Sequence, residues 1–308
     1  MKRIGPFGKF SLASQTSSNS TTANPLIPSG ISANCAQFLN NLDNNSTIST
    51  CVNALLNATS QFAPGGNAGS ASSASITDAL DAIHSTNLCP EYLFRGKLAE
   101  FYSQCPEELT TSNSVTGVIN IYGVLYAVLP FVGAICSKDD NDNYCLLEKI
   151  SSSSPSSLAS DIGTSNTQSV LDSLVNSPSV ERRDATTAIT PNATTFRDAG
   201  IPFLFRLPSL GATDLCTTCT RLIFNSYADF ESAVPFAPGL SQSPLLGGQT
   251  DLYNAIIKEC GHNFLQSSLE AAGGISGTSL LSGSALTAHN PGISTVLGLM
   301  TLAITFAV

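Results

Sequence analysis

The chain reads as an all-α, disulfide-stabilised helical bundle with a disordered Ser-rich linker and disordered termini. Three observations carry this reading. Apolar residues recur at helical spacing through two long stretches. No stretch sustains the period-two alternation of β-branched residues that marks a strand. Nine cysteines in 308 residues are many for a cytosolic enzyme and suggest disulfides.

Composition narrows the function classes. Ser and Thr together supply 71 residues, charged residues are only 11%, and there is no Trp. An average soluble protein carries about 25% charged residues. The formal net charge of −9 argues against a nucleic-acid partner, because phosphate binding needs clustered Lys and Arg.

The elements follow in chain order. Residues 1–30 are rich in Ser, Thr and Asn and lack a core, so they are expected to be disordered. Residues 31–150 form a helical, cysteine-patterned region. Val52, Leu55, Leu56 and Phe62 lie at helical spacing after Ser49, which is expected to cap the helix. Ile76, Leu80 and Ile83 mark a short helix preceded by Ser75. Pro90 and Glu91 occupy favoured first-turn positions for the next helix, whose inner stripe is Phe94, Leu98, Phe101 and Cys105. Val115 to Ile135 is uncharged and apolar nearly all round. Its length suits a membrane span, but Asn120, three glycines and Pro130 favour the buried central helix of a bundle.

Residues 151–195 are a Ser-rich linker, with a weak helix expected over Val170–Val175. Arg182 and Arg183 form a dibasic pair there, an exposed target for subtilisin-like processing proteases. Residues 196–272 are a helical hairpin packing on the first region. Pro202 to Phe205 is expected to be a docking strand or an extended segment. One helix is expected from Thr213 or Asp214 to about Val234, with Leu215, Cys219, Leu222, Ile223 and Phe230 inward. After a Pro/Gly loop, a last helix is expected from about Thr250 to Ala272.

The ends bear on compartment. Ile293 to Val308 is an uncharged apolar tail. As a helix it rises about 24 Å, short of a hydrocarbon core of about 30 Å. Such a tail, preceded by a spacer (residues 273–292 hold the small residues and the spacer) and by Ser282-Gly283-Ser284, has the form of a GPI-attachment signal. The N-terminus does not supply the matching secretory leader. Met1-Lys2-Arg3 resembles an n-region, but Pro6, Gly8 and Lys9 interrupt the stretch where an apolar run should lie. Either Met1 is not the natural start or the secretory route is wrong; the first is expected. Glycosylation sequons lie at Asn19, Asn44, Asn45, Asn57 and Asn192. Asn44 and Asn45 overlap, so one of them at most is expected to be used.

Several blocks carry a family resemblance: SANCAQFLNNLDNNSTISTCVNALLNATSQFAP, KLAEFYSQC, IYGVLYAVLPFVGAICSKDDNDNYC, ITPNATTFRDAGIPFLF and LCTTCTRLIFNSYADFESAVPFAPG. Together they cover most of residues 31–272. They resemble a group of fungal secreted or GPI-anchored Ser-rich proteins with a cysteine-patterned helical domain of unknown function. The resemblance implies location, helical content and disulfides, and carries no assigned activity. In similar sequences a Cys is expected near His84, where this chain departs from the pattern, leaving Cys89 without its local partner.

Nine cysteines are an odd number, so at least one is free or pairs with another chain. Cys89 and Cys105 flank one helix about 24 Å long and cannot bridge each other. Cys136 and Cys145 enclose a short hydrophilic loop and are expected to form a local disulfide. Cys260 is expected to pair with Cys216 or Cys219 across the hairpin, the other facing the first region.

Competing chemistry is weaker. Cys216-x-x-Cys219 with Cys260-x-His262 has a zinc donor set, but a secretory context favours disulfides. Cys216-x-x-Cys219 lacks the βαβ setting of a redox motif. Asp139-Asp140-Asn141-Asp142-Asn143 resembles the start of a calcium loop, yet lacks its Gly at position six and Glu at position twelve; a hydrated turn is expected. No G-x-S-x-G or P-loop occurs. No catalytic, cofactor or metal residue is therefore assigned. The expected function is a non-catalytic, GPI-anchored structural or adhesive protein of the cell surface or wall, its partners being the wall or outer leaflet. The alternatives are an extracellular helical module binding an apolar small ligand and a secreted hydrolase.

Overall fold

A computed structural model describes residues 27–59, 73–85, 90–148, 175–176 and 190–265. The described chain is all-α. In order come α1 (Ala33–Asp43), α2 (Ser46–Thr59), α3 (Ser73–Ser85), α4 (Glu91–Gln104), α5 (Pro106–Thr110) and α6 (Thr116–Cys136). A 3-10 turn comes next at Cys145–Leu147. The second part holds α7 (Ala193–Asp198), α8 (Ala212–Leu215), α9 (Thr218–Ala233) and α10 (Gln249–Cys260), with 3-10 turns at Ile201–Phe203 and Leu240–Gln242. Among the described residues the only strands are β1 (Val175–Asn176) and β2 (Thr190–Pro191), paired antiparallel.

Caps explain where the first helices begin. Ser32 caps α1, its hydroxyl accepting from the Cys35 backbone N–H at 3.4 Å. The expected Ser49 cap is displaced: Asn45 Oδ1 accepts from the backbone N–H groups of Thr47 and Ile48, so α2 starts at Ser46. Helix α3 likewise begins at Ser73 rather than after Ser75. Phe62 lies outside the described residues.

The long apolar helix α6 is the axis of the core. It is long and apolar enough to cross a membrane, yet 61% of its most hydrophobic window is buried inside the protein. Helices α3, α4, α5 and α9 pack around it. Tyr122 meets Phe101 of α4 edge-on at 5.3 Å and Phe236 at 5.1 Å; Tyr126 meets Phe230 and Phe236, each at 5.0 Å. T-shaped contacts place the positive ring edge against a negative face. Gly133 lets α9 approach, since a Cβ there would lie 2.3 Å from Ser226 Oγ. That hydroxyl donates to the Pro130 carbonyl at 2.6 Å.

The second part and the span leading into it depart from the sequence reading in several places. The expected continuous helix from Thr213 or Asp214 breaks after Leu215, because Thr217 caps a new one: its hydroxyl accepts from the Thr220 N–H at 3.1 Å. Helix α10 breaks at Cys260, because Gly261 takes φ +85°, outside the helical region; the 266–272 part of the expected helix lies outside the described residues. Pro202 to Phe205 is no strand. Gly200, Leu204 and Phe205 all have positive φ, and the Phe205 N–H closes on the Gly200 carbonyl at 2.8 Å. The chain thus coils into a knot that buries Ile201, Pro202, Phe203 and Leu204. Finally, Val175 belongs to β1, the 170–174 part of the expected weak helix lying outside the described residues, and α7 begins inside the span read as linker.

Candidate functional site: the polar seam between the two parts

The two parts share one core, and their junction is where the buried polar chemistry concentrates. Arg206 is 2% exposed. Two successive left-handed residues, Leu204 and Phe205, turn the chain so that its side chain points inward. Its Nη1 donates to the Leu204 carbonyl at 2.9 Å, and its Nη2 donates to Glu148 Oε2. The Thr217 hydroxyl also donates to that carboxylate at 3.3 Å. Burial disfavours charge on both partners, pushing Glu148 up and drawing Arg206 down, while their mutual attraction opposes it. A guanidinium starts so far above neutrality that Arg206 stays a cation.

Further hydrogen bonds cross the seam. Tyr126 donates to the Val234 carbonyl, Ser226 to Pro130, and the Thr218 hydroxyl to Asp140 Oδ2 at 2.9 Å. Tyr227, fully buried, donates to the Pro202 carbonyl at 2.5 Å and so anchors the 200–206 knot to α9.

The disulfides set the covalent frame. Cys35 bonds Cys105, tying α1 to the end of α4. Cys216 bonds Cys260, the bridge expected across the hairpin. The remaining cysteine of that motif, Cys219, bonds Cys145 and so joins the parts. Cys51 is also disulfide-bonded. The expected Cys136–Cys145 bridge does not form: Cys136 is a free thiol. Cys136 is the last residue of α6, and helical side chains lean toward the N-terminus, away from the loop beyond. Cys145 instead turns inward, its N–H donating to the Ser137 carbonyl at 2.8 Å, with no exposure. Burial pushes the Cys136 thiol up to about 11.

Metal readings lose their ligands. Cys216, Cys219 and Cys260 are oxidised in disulfides, so no thiolate remains for zinc beside His262. Cys35, Cys105 and Glu108 bring their donor atoms within 4.8 Å of one another, but those sulfurs too are bonded to each other. Glu108 is engaged elsewhere: it accepts from the Ser32 N–H at 2.6 Å, at the start of α1. Burial alone would raise this carboxyl; the bonds from Ser32 outweigh it and hold it below its ordinary value. The Asp139–Asn143 segment is a turn. Asp139 Oδ1 accepts from the N–H groups of Asn141 and Asn143 at 2.9 and 2.8 Å, and Lys138 pairs with Asp142 at 3.3 Å.

Of the sequons, Asn44 is exposed with its amide donating to the Asn40 carbonyl. Asn45 is half-buried and caps α2. Asn192 is half-buried and caps α7, its Oδ1 accepting from the Thr195 N–H. The side chain of Asn57, and Asn19, Cys89, Arg182, Arg183, Ser282, Gly283, Ser284 and the 293–308 tail, lie outside the described residues.

The sequence reading did not single out Glu148, Arg206, Thr217, Glu231 or Gln249. One signal was available for Arg206: it stands alone as a charge within the apolar run Pro202 to Pro208, and a charge in such a run needs a buried partner. Over residues 13–162 the chain matches a domain of unknown function, DUF7729. No curated protein and no solved structure matches it.

Proposed function

We propose that this chain is an extracellular structural or adhesive module of a fungal-type cell surface, displayed from the wall or outer leaflet through a GPI anchor at Ser282, Gly283 or Ser284. The observation that carries the reading is the covalent frame of Cys35–Cys105, Cys145–Cys219 and Cys216–Cys260. Such bonds form and persist in oxidising compartments. The apolar tail from Ile293 and the exposed sequon at Asn44 agree with the same route. The packing around α6 supports a solid module over an apolar-ligand carrier, since Phe101, Phe230 and Phe236 occupy the space against Tyr122 and Tyr126.

The anchor is tested by treating intact producing cells with phosphatidylinositol-specific phospholipase C. Release of the protein, and its loss after deletion of residues 293–308, is the expected result. Retention in the cytosol with every cysteine open to alkylation would overturn the reading. Processing is tested on the same material. Residue 182 falls between Cys145 and Cys219, so a cut at Arg182-Arg183 leaves two chains held by that bridge. Two bands with reductant and one without are expected, and Arg182→Ala with Arg183→Ala should restore the single reduced band.

A further inference from the structure

The helical hairpin of α9 and α10 is closed differently at its two ends. At one end Cys216, just before α9, is bonded to Cys260, the last residue of α10. At the other, Glu231 near the end of α9 meets Gln249, the first residue of α10, whose Nε2 donates to Glu231 Oε2 at 2.8 Å. Gln249 is 4% exposed. Each side chain then keeps one buried oxygen without a partner, Glu231 Oε1 and Gln249 Oε1. Both are acceptors when the carboxyl is ionised, and an unsatisfied buried acceptor carries its full desolvation penalty.

A single proton resolves both vacancies. A carboxylic acid and a primary amide are complementary: N–H donates to one carboxyl oxygen while the carboxyl O–H donates back to the amide oxygen. We propose that Glu231 and Gln249 form a proton-dependent latch, closed as a two-bond carboxyl–amide pair when Glu231 is protonated and held by one bond when it is not. No bond other than that to the proton is made or broken, and the proton comes from solvent.

Among the described residues no cation pairs with the carboxyl. Arg197 of α7, whose stem lies against Gly248, pairs with Asp198 at 2.9 Å. Arg95 of α4 lies over the Phe230 ring at 5.8 Å and pairs with Glu91. Asp229 and Asp251 are exposed. From α6, Tyr126 spends its hydroxyl on Val234, and Tyr227, one turn before Glu231, spends its own on Pro202. Burial accordingly pushes the Glu231 carboxyl up to about 7, against the opposing pull of the Gln249 hydrogen bond. An acid whose folded value is raised stabilises the fold fully below its unfolded value near 4.5. That stability is lost as pH rises through about 7. The segment between the two residues carries Phe236, packed on Tyr122 and Tyr126, so opening the latch loosens a loop that seals the core.

The test compares full-length protein with Glu231→Gln, which places an amide opposite an amide and satisfies all four atoms at any pH. Wild-type protein should lose denaturation midpoint relative to Glu231→Gln between pH 5 and pH 8. Amide exchange over 236–248, corrected for its intrinsic pH dependence, should quicken in wild type alone. Carbon-13 NMR of the wild-type Glu231 carboxyl should show it titrating near pH 7, a readout that stands even if the variant folds poorly. Titration near pH 4.5, or parallel pH profiles for the two proteins, would overturn the latch.

Discussion

The region before Glu148 and the region after Thr190 are built on different economies. In the first, helix faces bury Phe38, Leu42, Leu80, Phe94, Leu98 and Phe101, and the one buried charged or polar residue among those described is Glu108. In the second, Arg206, Thr220, Ser243 and Gln249 are all buried, the helices α7 and α8 are short, and two non-glycine residues sit at positive φ. Apolar burial is non-directional and tolerates small misplacements. Buried polar groups must meet named partners at hydrogen-bond geometry or cost more than they contribute. The second region is therefore specified by particular contacts, several of them reaching into the first.

The strongest way to break this comparison is to cut the bridge between the regions. Cys145→Ala with Cys219→Ala removes a cross-link spanning 74 residues. It should cost about 4 kcal/mol by the chain-entropy argument, read from chemical denaturation. A single transition moved to lower denaturant is expected, because the Glu148–Arg206 pair and the α6–α9 packing remain. Two separated transitions would show that the regions fold independently and that their shared core is weak.

A smaller effect sharpens the contrast. Arg206→Met keeps much of the side-chain volume but leaves the Glu148 carboxylate without its cation, at a cost of roughly 3 kcal/mol. Adding Glu148→Leu should recover much of that loss, since an apolar pair needs no partner. A single variant as stable as wild type would mean that the knot at 200–206 is held by apolar burial alone, like the first region.

The smallest effect belongs to Cys136. Cys136→Ser should change stability by about 0.5 kcal/mol or less, because the residue is only half-buried and bonded to nothing covalently. With its thiol pushed up to about 11, thiolate is scarce at neutral pH and alkylation of the native protein should be slow, quickening as pH rises. Rapid labelling at pH 7, or misfolding of the serine variant, would show that the thiol is more exposed or more structural than its half-buried place at the end of α6 implies.

Much of the first region is legible in the order of its residues. The stripe Phe94, Leu98, Phe101 and Cys105 lies wholly inside, and α4 begins at Glu91 with Pro90 at its N-cap, one residue from the expected start. The assignment of Val115–Ile135 to the core also rests on a residue that a lipid-facing helix would not favour, Asn120. The second region is legible only in outline. A hairpin with a cysteine on each arm is there, but its breaks at Cys216 and Gly261 come from a cap and a glycine whose local preference competes with helical periodicity. The choice of Asn45 over Ser49 is the same contest on a smaller scale.

What the residues determine alone is helical class, the apolar faces, the odd cysteine count and the pairing across the hairpin to within one choice. These rest on periodicity and chain geometry, which are local. Tertiary structure decided that Cys145 bonds Cys219 rather than Cys136, that Arg206 finds Glu148, and that Glu231 meets Gln249. Those pairings join residues 18, 58 and 74 positions apart, at distances of a few ångström that depend on how several helices settle at once. No local signal encodes that distance, because the apolar packing that produces it is a property of the assembled core.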